Sequence, residues 1–341
     1  MTKIVDAADV RQGYNQTWSG DLWRFLPQSI GSAGLIRHRR WWWGLLAWSR
    51  WFPISFYFFI HFIRYIMKQK TAWLLAAALT TPILGIIVGR AVAARRLRED
   101  VQRLFAAAAN AHAQTYHETQ LAGLPAPVQR YFRHVLSEGQ PYLRGLRLRH
   151  GGQFKTDLKK DWMAIEGEQY IAVEPAGFIW EGTTRWFVAR DAYEAGRGSL
   201  AVRLLGAVPV LNGHGPHYDE GELLRWLAES TWLPTALLPG AGIAWAAVDD
   251  HSAQLTFTQG SQSVACLMRF NAQDEIEACE TPRYFNETTR RPWVCRYAQY
   301  RRWHGVLIPT MGEAAWVVDG QRQPYARFLV RELEYEPLRP F

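Results

Sequence analysis

The sequence predicts an α+β fold: N-terminal transmembrane helices, then a domain dominated by a curved antiparallel β-sheet packed on helices. Three observations carry that expectation. Thr71 to Gly89 is a run of nineteen residues without one ionisable side chain. From Tyr142 onward the hydrophobic period shifts from that of a helix to two, the period of a half-buried strand. One amphipathic island, residues 218–238, then interrupts the serial strands with a helix and a Trp- and Pro-rich insert.

In chain order, residues 1–40 form a polar leader with Gly13, Gly20, Gly31 and Gly34 spread through it, and it is expected to be largely disordered. Within it Trp18, Leu22, Phe25 and Leu26 fall at helical spacing. Arg39, Arg40 and the triplet Trp41 to Trp43 open a membrane region, residues 41–90, because indole rings and cations favour the headgroup layer. At ~1.5 Å per residue, the run 71–89 is ~28 Å long as a helix, enough to cross the hydrocarbon of a bilayer. Pro82 would break a water-exposed helix, but in a bilayer the hydroxyls of Thr80 and Thr81 can serve the carbonyls it frees. A second apolar run, residues 51–67, is interrupted by His61 and Arg64 and is expected either to lie along the membrane surface or, the favoured reading, to form a second span joined to the first by Lys68, Gln69 and Lys70.

The net charge of +8 is local. Between Arg37 and Arg103, twelve basic residues face only Glu99 and Asp100, so this segment alone carries +10 and the remainder is close to neutral. That pattern points to bilayer flanks and anionic headgroups rather than to nucleic acid. Arg37, Arg39, Arg40 and Arg50 precede the spans and Arg90, Arg95, Arg96, Arg98 and Arg103 follow them, outnumbering the connector's cations. The positive-inside rule therefore places the soluble domain on the cytoplasmic side of the inner membrane.

Residues 91–140 read as a helical connector. Val101, Leu104, Phe105 and Ala108 mark one apolar stripe, and Val128, Tyr131, Phe132 and Val135 mark a second helix over Pro127–Ser137. Residues 141–341 are expected to form the sheet domain. Leu146 and Leu148 alternate with Arg147 and Arg149, and Gly151-Gly152 reads as a hairpin turn with a return strand from Gln153. Further strands are expected at 162–173, 177–186, 200–205, 253–258, 264–270, 275–279, 294–300, 306–309, 313–318 and 326–335. The island carries Leu223, Leu224, Trp226 and Leu227 on one side and Asp219, Glu220, Glu222, Arg225 and Glu229 largely on the other.

Several separated strings occur in fixed order: LPAPVQRYFRHVL at Leu124, GFIWEG at Gly177, RDAYEAGRGSLAVRLLGAVPV at Arg190, DEGELLRWLAESTWLPTALLP at Asp219 and YRRWHGVLIPTMGEAAWVV at Tyr300. Over about Leu121 to Tyr335 the chain resembles a family of uncharacterised bacterial membrane-tethered proteins, a resemblance that implies no catalytic residues. The closing pattern, a strand ending at Tyr300, a turn at His304-Gly305 and long strands after it, looks like the half-barrel of lipoprotein-carrier proteins of the bacterial envelope. That likeness implies a half-barrel-like sheet around helices with acyl chains held between them. It also implies a domain outside the cytoplasmic membrane, opposite to the charge count.

Motifs exclude several chemistries. There is no GxSxG elbow, no phosphate loop and no CxxC, and Cys266, Cys279 and Cys295 are widely spaced, as reduced buried thiols are. Gly196, Gly198 and Ala201 match a loose dinucleotide fingerprint without its strand-then-helix setting, so they read as a turn. His214, His217, Asp219 and Glu220 crowd one loop but read as a polar helix entry; no metal or other cofactor is expected. The better lead is aromatic. Trp180, Trp226, Trp232, Trp245 and Trp316 are candidate walls of a cavity for a lipid or other apolar ligand, and Arg147 and Arg149 are candidate headgroup contacts. The functional expectation is a membrane-anchored binding protein whose partners are the bilayer and a lipid-like ligand. The alternative is a membrane-bound enzyme using carboxylates of the 219–229 helix.

Overall fold

The computed structural model describes residues 52–108, 114–240, 242–336 and 338–341. The expectations for the leader 1–40 and for Trp41 to Trp43 lie outside them. Helix α1 is Phe52–Ala108. Lys68, Gln69 and Lys70, expected as a turn between two spans, are helical instead. None of the three is a helix breaker, and Lys and Gln are good helix formers. The Thr80 hydroxyl donates back to Ala76 O at 2.8 Å, not to the carbonyl of Ala78 that Pro82 leaves free. The helix is long and apolar enough to cross a membrane, with a mean hydropathy of 2.0 over its most apolar window and none of that window buried. Ile83, Leu84, Ile87 and Val88 point outward around it.

From Leu97 the pattern changes to a single buried stripe. Leu97, Val101, Leu104, Phe105 and Ala108 pack on Tyr170, Ile179 and Ala192. Arg190 rivets this stretch to the sheet: its guanidinium pairs with Asp100 at 3.1 Å and Glu181 at 2.7 Å and donates to Ala93 O at 3.2 Å.

After α2 (Ala126–Val135) come strands β1 (Gly145–Phe154), β2 (Met163–Ala172), β3 (Gly177–Thr183), β4 (Phe187–Glu194), β5 (Arg197–Leu204) and β6 (Val208–His214). Helix α3 (Pro216–Glu229) and two short 3-10 turns through Leu237 follow, then β7 (Ile243–Asp249), β8 (Ser252–Gln259), β9 (Gln262–Phe270), β10 (Ile276–Tyr284), β11 (Arg290–Trp303), β12 (Val306–Val318) and β13 (Gln321–Tyr335). All thirteen strands form one antiparallel sheet in the order β6-β5-β4-β3-β2-β1-β13-β12-β11-β10-β9-β8-β7. Every neighbouring pair is consecutive in sequence except β1 and β13, which make the central seam.

The sheet curls. Although β4 and β9 are eight places apart in the order, Gln262 of β9 accepts from the Tyr193 hydroxyl of β4 and donates to Gly196 O at 3.0 Å. Inside the curl α3 rests on β4 and β5 at one wall and on β9 and β10 at the other, while α2 rests on β8 and β12. Gly198 of β5 allows this, since a Cβ there would collide with the Tyr218 backbone at the start of α3. The larger core lies in the concavity; the smaller one, with α1, lies on the outer face. The architecture is thus α+β: a long apolar helix, then a large open antiparallel sheet curved around helices.

Gly151 and Gly152 are not a hairpin turn. They sit inside β1, in register with Leu329 and Phe328, just after a bulge at Arg149/His150. A side chain at 151 would strike the Arg331 guanidinium, and one at 152 the Arg327 backbone. Close neighbours, rather than a change of direction, are what these glycines accommodate. Residues 306–318, expected as two strands, form one, and Gln299 on the facing strand adopts a positive φ of 57°.

Candidate functional site

Cross-strand register places Gln169 of β2 beside Trp180 of β3 and Trp180 beside Asp191 of β4, all on the concave face. Onto this row α3 lays Glu222, Arg225 and Glu229, which fall on one stripe at i, i+3 and i+7. From the opposite wall β10 contributes Arg283. Burying one charge costs several kcal/mol unless it is paired, so these groups must satisfy one another. Arg225 Nε donates to Glu229 Oε1 at 2.9 Å and its Nη1 pairs with Asp191 Oδ2. The guanidinium lies over the rings of Phe178 and Trp180, 5.0 and 4.8 Å from their centroids. Gln169 donates to the other Glu229 oxygen, and Arg283 Nη2 donates to Glu222 Oε1 at 3.3 Å.

Two carboxyl oxygens stay unmatched. Asp191 Oδ1 and Glu222 Oε2 are enclosed without a hydrogen-bond partner in the protein. Burial, reinforced by the Asp191 charge, pushes the Glu222 carboxyl up to about 8. Burial likewise raises Asp191, with the Arg225 cation opposing it. For Arg225 burial alone would favour loss of the proton, but Glu229, Asp191 and Glu222 more than offset this and hold it charged. Beside the cluster, His150 accepts from Trp180 Nε1 at 2.7 Å, and burial followed by the Arg225 charge lowers it to about 3, so it is a neutral imidazole.

Aromatic rings lead from this floor to solvent. Arg283 lies over Trp293 at 4.9 Å, and Trp293 Nε1 donates to the Tyr325 hydroxyl at 3.0 Å. Tyr325 stacks with Trp316 at 6.2 Å, and Phe285 meets Trp316 edge-on at 5.1 Å. Phe328 touches His150 at 4.2 Å and Trp180 at 6.1 Å. Trp316, Tyr325 and Phe328 are half-buried, and Phe285 is exposed. The arrangement offers an apolar wall to a ligand body and two unmatched carboxyl oxygens to its polar end.

The candidate residues divide among three places. Trp180 and Trp316 belong to this floor and wall. Trp226, Trp232 and Trp245 brace the core instead, with indole N–H groups donating to Ala172 O, Pro309 O and Leu237 O at 2.9, 3.0 and 2.8 Å. Arg147 and Arg149 emerge on the outer face. Arg147 bonds Glu334 at 2.7 Å and Pro340 O at 2.8 Å, Arg149 pairs with Glu168 and Glu332, and both lie over Phe341. Arg149 lines an outer cleft of about 680 Å³ beside Leu97 and Arg98 of α1. The loop histidines do not converge with the acidic residues near them: His217 packs on Tyr218, Asp219 accepts from Gly198 N at 2.7 Å and Glu220 pairs with Arg290. Cys266, Cys279 and Cys295 are buried and free.

Sequence reasoning did not single out Gln169, Asp191 or Arg283. A signal existed for two of them. Gln169 sits between Gly167 and Ile171, and Asp191 between Ala189 and Tyr193, each a polar residue at the buried phase of its strand.

The sequence profile of a family of unknown function, DUF6544, matches residues 114–328, which include the floor, the wall and both inner helices. The chain belongs to that family. No curated protein matches the DUF6544 chain. Among solved structures it is similar to a LolA superfamily protein from Nitrosomonas europaea, at 9% identity over 63% of this chain and 94% of that one, with a TM-score of 0.37. It is also similar to a putative outer membrane lipoprotein-sorting protein domain from Vibrio parahaemolyticus, at 8% identity over 62% and 91%, with a TM-score of 0.35. These matches are of the kind anticipated from the closing strands.

Proposed function

We propose that this protein is a membrane-tethered binding protein that holds an amphiphilic, lipid-like molecule in the curl of its sheet, with residues 71–89 of α1 as the tether. One observation carries the reading: a half-exposed aromatic wall runs from solvent to a buried floor where Asp191 Oδ1 and Glu222 Oε2 have no hydrogen-bond partner in the protein. Buried acceptors cost about 1–3 kcal/mol each when unmatched. A ligand with an apolar body and a hydroxyl head, which can donate to Asp191 and accept from the Glu222 acid, meets both needs. Native mass spectrometry and lipid extraction of the full chain purified in detergent test this. A stoichiometric amphiphile is expected, lost in Trp316→Ala; a chain that carries none, and takes up none from an added lipid extract, would sink it.

The tether is supported by the exposed apolar surface around α1, and the count of basic residues supports a cytoplasmic domain. A second reading, an enzyme, is favoured by Glu222, which keeps its proton near neutral pH beside an ionisable Asp191 and so resembles a general acid. The two part experimentally: chemical change in an incubated lipid extract, seen with wild type and abolished by Glu222→Gln, would select the enzyme.

A further inference from the structure

Edge strands in water are usually blunted by charge, yet edge strand β6 is apolar. Val208, Val210 and Leu211 are 51%, 60% and 44% exposed, and next to them Leu204 and Trp186 are 45% and 57% exposed. The Trp186 turn and the β5–β6 turn are joined, since Leu205 N donates to Trp186 O at 2.7 Å. These five exposed side chains come from one corner of the sheet.

That corner sits where the apolar part of α1 ends. Gly89 is so close to Ala207 of the β5–β6 turn that an added Cβ would lie 2.8 Å from the Ala207 methyl. Arg90, the first cation after the uncharged run, donates from Nε to Leu205 O at 2.7 Å. The exposed Ile87 and Val88 thus lie one turn of helix or less from the residues that touch the β5–β6 turn. At the same level Arg185 lies over the Trp186 ring at 5.0 Å, the cation and indole pairing suited to a headgroup layer.

We propose that the β5–β6 hairpin and the Trp186 turn form a second membrane contact, dipping into the headgroup and acyl boundary beside α1. The occupant of the apolar edge is the bilayer surface itself. Position dictates this: a hairpin fixed to the last residue of a span cannot avoid the interface into which that span opens. The inference rests on the tether proposed above, and it adds a fixed orientation of the sheet to the membrane, held by two points instead of one.

The test uses the full chain in vesicles of phosphatidylethanolamine and phosphatidylglycerol, with an environment-sensitive fluorophore on one introduced cysteine. The three native cysteines are buried and leave the introduced one to react. Val210→Cys probes the hairpin, Leu84→Cys the span, and Ala195→Cys the exposed β4–β5 turn at the opposite end of β5. Nitroxide lipids are expected to cut the emission of the probes at 210 and 84 about twofold and to leave that at 195 unchanged. Quenching at 84 but not at 210 would overturn the hairpin contact while leaving the span intact; no quenching at either would remove both. A blue-shifted probe at 210 that lipid nitroxides do not quench would show that another protein chain covers the edge, and would equally overturn the proposal.

Discussion

Replacing Glu222 with Gln tests the electrostatics of the floor. In the folded chain this carboxyl holds its proton up to about 8, against an ordinary value of 4.5, because burial and then Asp191 penalise the anion. Unfolding therefore releases a proton at any pH between those values. The stability that the neutral acid contributes is fully present below about 4.5, declines as the pH rises, and is gone above about 8. At roughly 1.4 kcal/mol per pH unit, that interval corresponds to about 4–5 kcal/mol. Glutamine has the same outline and never ionises, so this part of the pH dependence should vanish. The assay is chemical or thermal unfolding in detergent from pH 5 to 8, wild type beside Glu222→Gln, with a midpoint difference of roughly 10 °C developing across the range. The direction is fixed: wild type should approach or exceed the variant at pH 5 and fall behind it at pH 8. Parallel pH profiles would refute the reasoning, because Glu222 would then be an ordinary anion paired with Arg283.

Other outcomes follow from the same geometry. Arg225→Met removes the shared partner of Asp191 and Glu229 and should cost about 3–5 kcal/mol in denaturant unfolding, as expected when a buried ion pair loses one member. Trp226→Ala, which deletes a buried indole packed at a tilt against Phe257 at 4.6 Å, should destabilise by about 3–5 kcal/mol. Trp316→Ala, on the open wall, should instead lower lipid retention with less than about half that loss, as measured by co-purified lipid. Because the native thiols are buried, labelling of intact cells by a membrane-impermeant maleimide should leave an Asp319→Cys chain unmodified if the domain is cytoplasmic and modify it if the domain lies outside.

Much of the sheet could be read from local pattern, and the misreadings share a cause. Alternation around Leu146 and Leu148 correctly separates inside from outside, so Arg147 and Arg149 point away from the core, and that same alternation removes them from the aromatic wall. Gly151 and Gly152 were ambiguous because a glycine pair serves a turn and a crowded strand equally well; only Arg327 and Arg331, almost two hundred residues distant, decide between the two. The sequence pattern does not reveal strands β4, β6 and β7, because Gly and Pro near them resemble loop punctuation. The amphipathic pattern of α3 was evident, but which carboxylates it buries was not. Asp219 and Glu220 find partners at the surface, whereas Glu222 and Glu229 are turned inward by the phase of Leu223, Trp226 and Leu227. The charged floor stayed hidden for a simple reason: its members come from β2, β4, α3 and β10, and no local window contains two of those elements.

The seam between β1 and β13 has a bearing on how such a chain is made. His150 waits for Val330, 180 residues later in synthesis, and until that strand leaves the ribosome the middle of the finished sheet is an unsatisfied border. Each flanking meander can zip up hairpin by hairpin as it emerges, but their union depends on the slowest kind of contact to find. Losing the final strand would therefore split the curl along its spine rather than trim its rim, and would open the floor between α3 and the sheet.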